Sequence, residues 1–241
     1  MKAFKYICLC SALMLSSNAM ASRYDTMQGK YLYTLGFDVT EQYAKVGSSW
    51  SQLTYPTRLG ASVYLAYRMS RIFGLELGYN WTDDKPRSIT LQPGSYILGA
   101  SSSLAQTIVT KIRLKDTYID LYAHKRVAKC VEAKFGIGVG WVRQTIKFFP
   151  NPLQSPPTDP VQIAMNNIDG ATTATLRLNA GLQYLFSRRI GARAIVGYQT
   201  LHNINVNGTN PGTSPKLFGN AVWGLIGLYW NLYGYPDQDI G

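Results

Sequence analysis

Acid–base or nucleophilic chemistry in this chain would have to run through very few residues. The 241 positions hold two histidines, His124 and His202, and three cysteines, Cys8, Cys10 and Cys130. A thiolate nucleophile at Cys130 would need a histidine and an Asn or Asp beside it, and the sequence places no such pair near it. His202 is followed by Asn203-Ile204-Asn205, with no serine at a useful spacing. Histidine, cysteine and carboxylates never recur at metal-ligand spacing, so neither a metal nor a cofactor is expected. Asp83-Asp84, Asp159 and Asp169 fall in turn-rich stretches and read as solvated charges rather than calcium ligands. What does recur is single charges set at alternate positions of apolar runs: Arg68, Glu76, Asp120, Glu132, Lys134, Arg177 and Arg193. The chemistry open to them is mutual ion pairing in a confined space.

The element that would confine them is clearest at 131–145, VEAKFGIGVGWVRQT. Read with a period of two, one face carries Ala133, Phe135, Ile137, Val139 and Trp141. The other carries Glu132, Lys134, Gly136, Gly138 and Gly140. A strand sends alternate side chains to opposite faces, whereas a helix would smear this set around its circumference. Three interior glycines would also cost a helix about 0.8–1 kcal/mol each relative to alanine. Oily residues on one face, with charge and glycine on the other, over about ten residues is the unit of a transmembrane β-barrel.

Eight runs repeat the unit: 30–39, 59–68, 74–81, 116–125, 131–145, 173–186, 191–200 and 218–233. All eleven prolines lie outside them, as required of strands paired on both edges. The connections alternate long, short, long, short, long, short, long, the habit of a barrel with short turns on one side of a membrane and long loops on the other. Aromatic residues gather at the run ends. Tyr31, Tyr67, Tyr184, Phe186, Trp230 and Tyr233 would form the inner girdle, and Tyr79, Trp81, Trp141 and Tyr198 the outer. The expected fold is all-β, an eight-stranded antiparallel up-and-down transmembrane barrel. A soluble barrel with the same alternation turned inside out would need charged rows facing water; here those rows are rich in Gly, Ser, Tyr and Asn.

Two lysines, Lys2 and Lys5, precede an apolar stretch from Ile7 to Leu15 and the small-residue pattern Ala19-Met20-Ala21. Residues 1–21 therefore read as a secretory signal peptide, too short to span a membrane as a helix. Residues 22–241 are the expected barrel, with four long outer loops and a short tail after residue 233. Losing Lys2 and Lys5 takes the formal charge from +11 to +9. Behind a signal peptide this basic balance does not point to nucleic acid, and no aromatic–basic RNA-binding run is present.

On these features the chain resembles the small outer-membrane β-barrel superfamily, the group of the OmpA transmembrane domain, OmpX and the opacity proteins. The resemblance is carried by the signal peptide, by Gly136-Ile137-Gly138-Val139-Gly140-Trp141, by Leu75-Glu76-Leu77-Gly78-Tyr79, and by the closing Gly224-Leu225-Ile226-Gly227-Leu228-Tyr229-Trp230. It implies residence in the outer membrane, contact with outer-membrane lipids and lipopolysaccharide, and handling by the barrel-assembly machinery. The usual terminal aromatic is displaced, since eight residues follow Tyr233. No cell-wall-binding domain of the OmpA kind is expected. Barrel enzymes acting on lipid A use a histidine and a serine near the outer rim. His124 falls at the inner end and His202 has no partner serine, so no catalytic residue and no enzyme are expected. The expected role is structural and interactive, with a lumen filled by ion pairs and segments 82–115 and 146–172 touching a host or matrix surface. A narrow pore for small solutes is the alternative.

Overall fold

The computed structural model describes residues 33–47, 50–70, 72–83, 85–128, 130–150, 159–166, 172–187, 189–201 and 217–232. Eight strands form a closed ring: β1 (Tyr33–Val46), β2 (Thr57–Arg68), β3 (Phe73–Asp83), β7 (Gln106–Ala128), β8 (Val131–Pro150), β9 (Thr172–Leu185), β10 (Ile190–Gln199) and β11 (Phe218–Leu232). Neighbours in sequence pair antiparallel, and β11 closes the ring on β1 from Tyr33 opposite Leu232 to Val46 opposite Phe218. Among the described residues, three minor strands, β4 (Arg87–Leu91), β5 (Tyr96–Ile97) and β6 (Ala100–Ser101), and one helix, α1 (Pro160–Asn166), lie within the long connections. Residues 1–21, expected to be a signal peptide, together with Tyr31, Tyr233, the tail beyond it, Asp84, Asp169 and His202, lie outside the described residues.

Period-two alternation is visible along every ring strand, and its sense is inverted relative to a soluble protein. Val39, Phe135, Ile137 and Leu176 are about 60 % exposed, whereas Asp38, Glu76, Lys134 and Arg193 are at most 3 % exposed. A continuous exposed apolar belt of this height is covered by lipid in a membrane-spanning barrel. The eight expected runs are the eight ring strands.

Several strands outrun their expected ends. β1 continues to Val46, β7 begins at Gln106 and β8 reaches Pro150, so much of 82–115 and the start of 146–172 are strand rather than loop, and one proline ends a strand. The cause is a change of phase. Below Lys115 and Trp141 the apolar residues of β7 and β8 point outward, as with Ile119, Leu121, Ile137 and Val139. Beyond them the same inward positions become apolar: Leu114, Ile112 and Ile108 on β7, and Val142, Ile146 and Phe148 on β8. A row of outward apolar residues stops there while the ladder continues, and β4 takes up the pairing with β7 that β3 leaves off.

Candidate functional site

Alternation places one polar face of each strand in the lumen, and the side chains there meet in layers. At the inner end Arg68 Nη2 is 2.6 Å from Glu132 Oε1, and His124 Nδ1 lies 4.0 Å from Glu132 Oε2. One level further out, Arg193 donates two hydrogen bonds to Asp38, at 2.8 and 2.6 Å, and a third to Glu76 at 2.8 Å. Glu76 also accepts from Lys134 and from the Tyr118 hydroxyl, and Ser62 donates to Asp38 at 3.1 Å. The next layer centres on Arg177, which donates to Asp116 and Asp120, while Asn179 donates to Asp120 and Gln199 to Asp116. Tyrosine and tryptophan faces line the same space. The Arg193 guanidinium carbon lies 3.3 Å from the Tyr64 ring centroid, Lys134 Nζ is 3.6 Å from Tyr122, and Arg177 is 3.9 Å from Tyr118.

All seven charged candidates thus face the lumen, each with an oppositely charged partner. Buried ions demand this, because breaking one side of such a pair leaves an uncompensated charge. Two members were missing from the candidate set, Asp38 and Asp116. Both sit on the polar rows of their runs, so parity alone was the signal that finds them.

Glycine supplies the room. A Cβ on Gly136 would fall 2.4 Å from Asn179, and one on Gly140 would fall 2.6 Å from Asp116. The bare row of β8 is the trench in which this layer lies.

A small cavity of about 50 Å³ opens at the inner end and is lined by Arg68, Tyr122, His124, Cys130 and Glu132, among others. Cys130 and His124, six residues apart in the sequence, share it with Glu132. Among the described residues, however, no cluster of three His, Cys, Asp or Glu side chains is placed to hold a metal.

Above the ionic layers the lumen turns apolar. Trp50, Leu53, Leu91, Ile97, Leu98, Ile108, Ile112, Val161, Met165, Leu201, Leu217 and Phe218 pack into one buried cluster drawn from all four long connections and the strand extensions. Trp50 stacks on Phe148 at 6.5 Å, and Arg58 lies over the Phe218 ring at 4.0 Å. Asp159 ties this cap together. Its carboxylate accepts from the Ser103 amide and hydroxyl, from Gln106 Nε2 and from the Val161 amide, and it caps α1 with Pro160 in the first turn. Burial disfavours its charged form, yet these hydrogen bonds outweigh burial and hold its pKa below the usual 3.8. It is therefore a buried hub, not a solvated loop charge. Asp83 is not free either: Arg113 Nε is 2.6 Å away and holds its carboxyl below the usual range.

The girdle residues within the described chain sit on the outer surface. Near the inner rim are Tyr67 against Tyr33 at 5.1 Å, Tyr184 against Phe186 at 5.2 Å, and Trp230. Tyr79 against Trp81 at 6.0 Å, Trp141 and Tyr198 mark the outer level.

A family model described as "Outer membrane protein beta-barrel domain" matches residues 7–218. Among solved structures, neisserial surface protein A (NspA) aligns with a TM-score of 0.52 at 12% identity, over 85% of this chain and 100% of that one. Ail, the attachment invasion locus protein of Yersinia pestis, aligns at 0.44 with 12% identity, over 85% and 99% of the two chains. OprG of Pseudomonas aeruginosa aligns at 0.43 with 13% identity, over 86% and 97%. A search of curated protein sequences finds no match. At these identities the likeness to NspA is one of fold. The family match spans most of the chain, the ring closes on eight strands, and its lipid-facing belt is apolar: the chain belongs to the outer-membrane β-barrel domain family and resides in the outer membrane.

Proposed function

We propose that this protein is a closed, non-enzymatic scaffold of the outer membrane whose raised outer wall and cap serve as a surface for interaction. The observation that carries the reading is the stacking of two different barriers in one narrow tube. An eight-stranded barrel is just wide enough for side chains to fill. Here the middle is filled by the Asp38–Glu76–Lys134–Arg193 and Asp116–Asp120–Arg177 sets, and the outer mouth by the apolar cluster around Trp50. A hydrated solute would have to part buried ion pairs and then cross a dry layer, and each step opposes the other's remedy. His124 lies buried at the inner end, away from outer-leaflet lipid, which supports the absence of lipid A chemistry. The binding surface falls to segments 82–115 and 146–172, whose strand portions form a rigid wall with β4. Loops and extensions held on a rigid scaffold are where recognition commonly resides.

Planar-bilayer recording of the full-length protein tests the closed state: the expected trace is the bare bilayer's baseline. Steady open-channel current at modest voltage would replace the scaffold with the narrow-pore alternative.

A further inference from the structure

The outward face of the β7–β8 extension carries a charge arrangement that the barrel itself does not need. Lys111 of β7 stands directly opposite Lys147 of β8, and Lys115 directly opposite Arg143. Arg113 lies between them on the same face. Like charges placed directly across an antiparallel ladder destabilise it. Against these five cations the described residues offer one carboxylate, Asp83, which reaches Arg113 at 2.6 Å and Lys111 at 3.4 Å. Lys115, Arg143 and Lys147 are exposed and make no ion pair among the described residues. Their height is also defined. Lys115 is paired with Trp81, and Arg143 follows two residues after Trp141, so the stripe starts at the outer aromatic girdle. From there it climbs four residues, about 13 Å along the strand.

We propose that this stripe binds the phosphate groups of outer-leaflet lipopolysaccharide. The inference rests on residence in the outer membrane and is independent of whether the lumen conducts. Charge complementarity supplies the pairing: several guanidinium and ammonium groups, fixed by one rigid two-stranded surface, face the level where anionic headgroups begin. Arginine suits bidentate phosphate contact and lysine point-charge contact. Bound phosphate would also relieve the repulsion between Lys111 and Lys147 and between Lys115 and Arg143. A position at the girdle favours a membrane lipid over a sulfated polysaccharide approaching from outside, which would meet the cap first.

The full-length protein, folded in zwitterionic detergent, is titrated with bisphosphorylated lipopolysaccharide and, separately, with the same material after phosphatase treatment. The wild type should bind the phosphorylated form and melt at a higher temperature in its presence. K111Q/K115Q/R143Q/K147Q should weaken that binding by about a hundredfold or more, whereas K125Q/R126Q at the inner end should leave it unchanged. In detergent free of lipopolysaccharide the quadruple variant should melt no lower than the wild type, because it removes repulsion. Equal binding by the quadruple variant, equal binding of the dephosphorylated lipid, or a lower melting point without lipid would each overturn the proposal. So would stronger binding of a heparin oligosaccharide that the quadruple variant loses, which would make the stripe a polysaccharide site.

Discussion

Gly138 of β8 lies directly opposite Asp120 of β7, and a Cβ on that glycine would stand 2.0 Å from the Asp120 Oδ1 oxygen and 2.3 Å from the Ile119 carbonyl oxygen. The space a side chain would take is occupied by the carboxylate that receives Arg177 and Asn179. Glycine here is a structural part of the ionic layer, since only its bare backbone lets charged groups from β7 and β9 meet across β8.

Gly138→Ala should therefore destabilise the barrel by about 1–3 kcal/mol through overpacking against fixed backbone. Gly224 is the matched control, because the nearest atom to its Cβ would be 3.9 Å away. Urea unfolding in lipid vesicles should shift for the first variant and stay within about 0.5 kcal/mol for the second.

The Asp38–Arg193 pair, with both side chains fully buried, allows a double-mutant cycle. Removing one partner strands the other, so Asp38→Asn should cost about 3–5 kcal/mol. D38N/R193Q should recover part of this loss but not all, since Arg193 also serves Glu76. Strict additivity of the two single changes would show that the pair does not interact.

Trp50 links the first long connection to β8 through its stack on Phe148 and is fully buried. Trp50→Ala should loosen the cap locally, by about 3–5 kcal/mol of packing, while leaving the ring's ladder intact. The expected result is new protease cleavage within 47–56 with the heat-dependent shift in gel mobility retained. A barrel that no longer resists detergent at room temperature would mean that the cap and ring fold as one unit.

Asp159 gives the cap a pH limit. Its folded pKa lies below the ordinary 3.8, so its contribution is fully present above 3.8 and fades as the pH falls through the folded value. Hydrogen exchange at the Val161 and Ser103 amides should remain slow at pH 5 and quicken only under stronger acid. Asp159→Asn should abolish that acid dependence while keeping partial capping of α1.

Much of the ring was legible in the order of residues, and the lumen partly so. Alternation is a property of the extended chain itself, and it showed that Glu76 and Lys134 turn away from lipid and that Ile137 and Leu178 turn toward it. The same parity also held Asp38 and Asp116. The outer third was harder to read. The apolar row crosses from outside to inside near Lys115 and Trp141, so the alternation ends the expected runs at Asp116 and Thr145, although the ladders run on to Gln106 and Pro150.

The sequence by itself determined the strands, their order, the side each residue faces and hence the membrane as their surroundings, because these depend only on local geometry and on which solvent each face prefers. The tertiary structure alone decided who pairs with whom: Arg193 with Asp38, 155 residues away, Arg177 with Asp116 and Asp120, Trp50 with Phe148, and Lys111 beside Lys147. Those meetings depend on how far each strand slides against the next as the ring closes. That stagger is a property of the whole circle, and no single strand carries it.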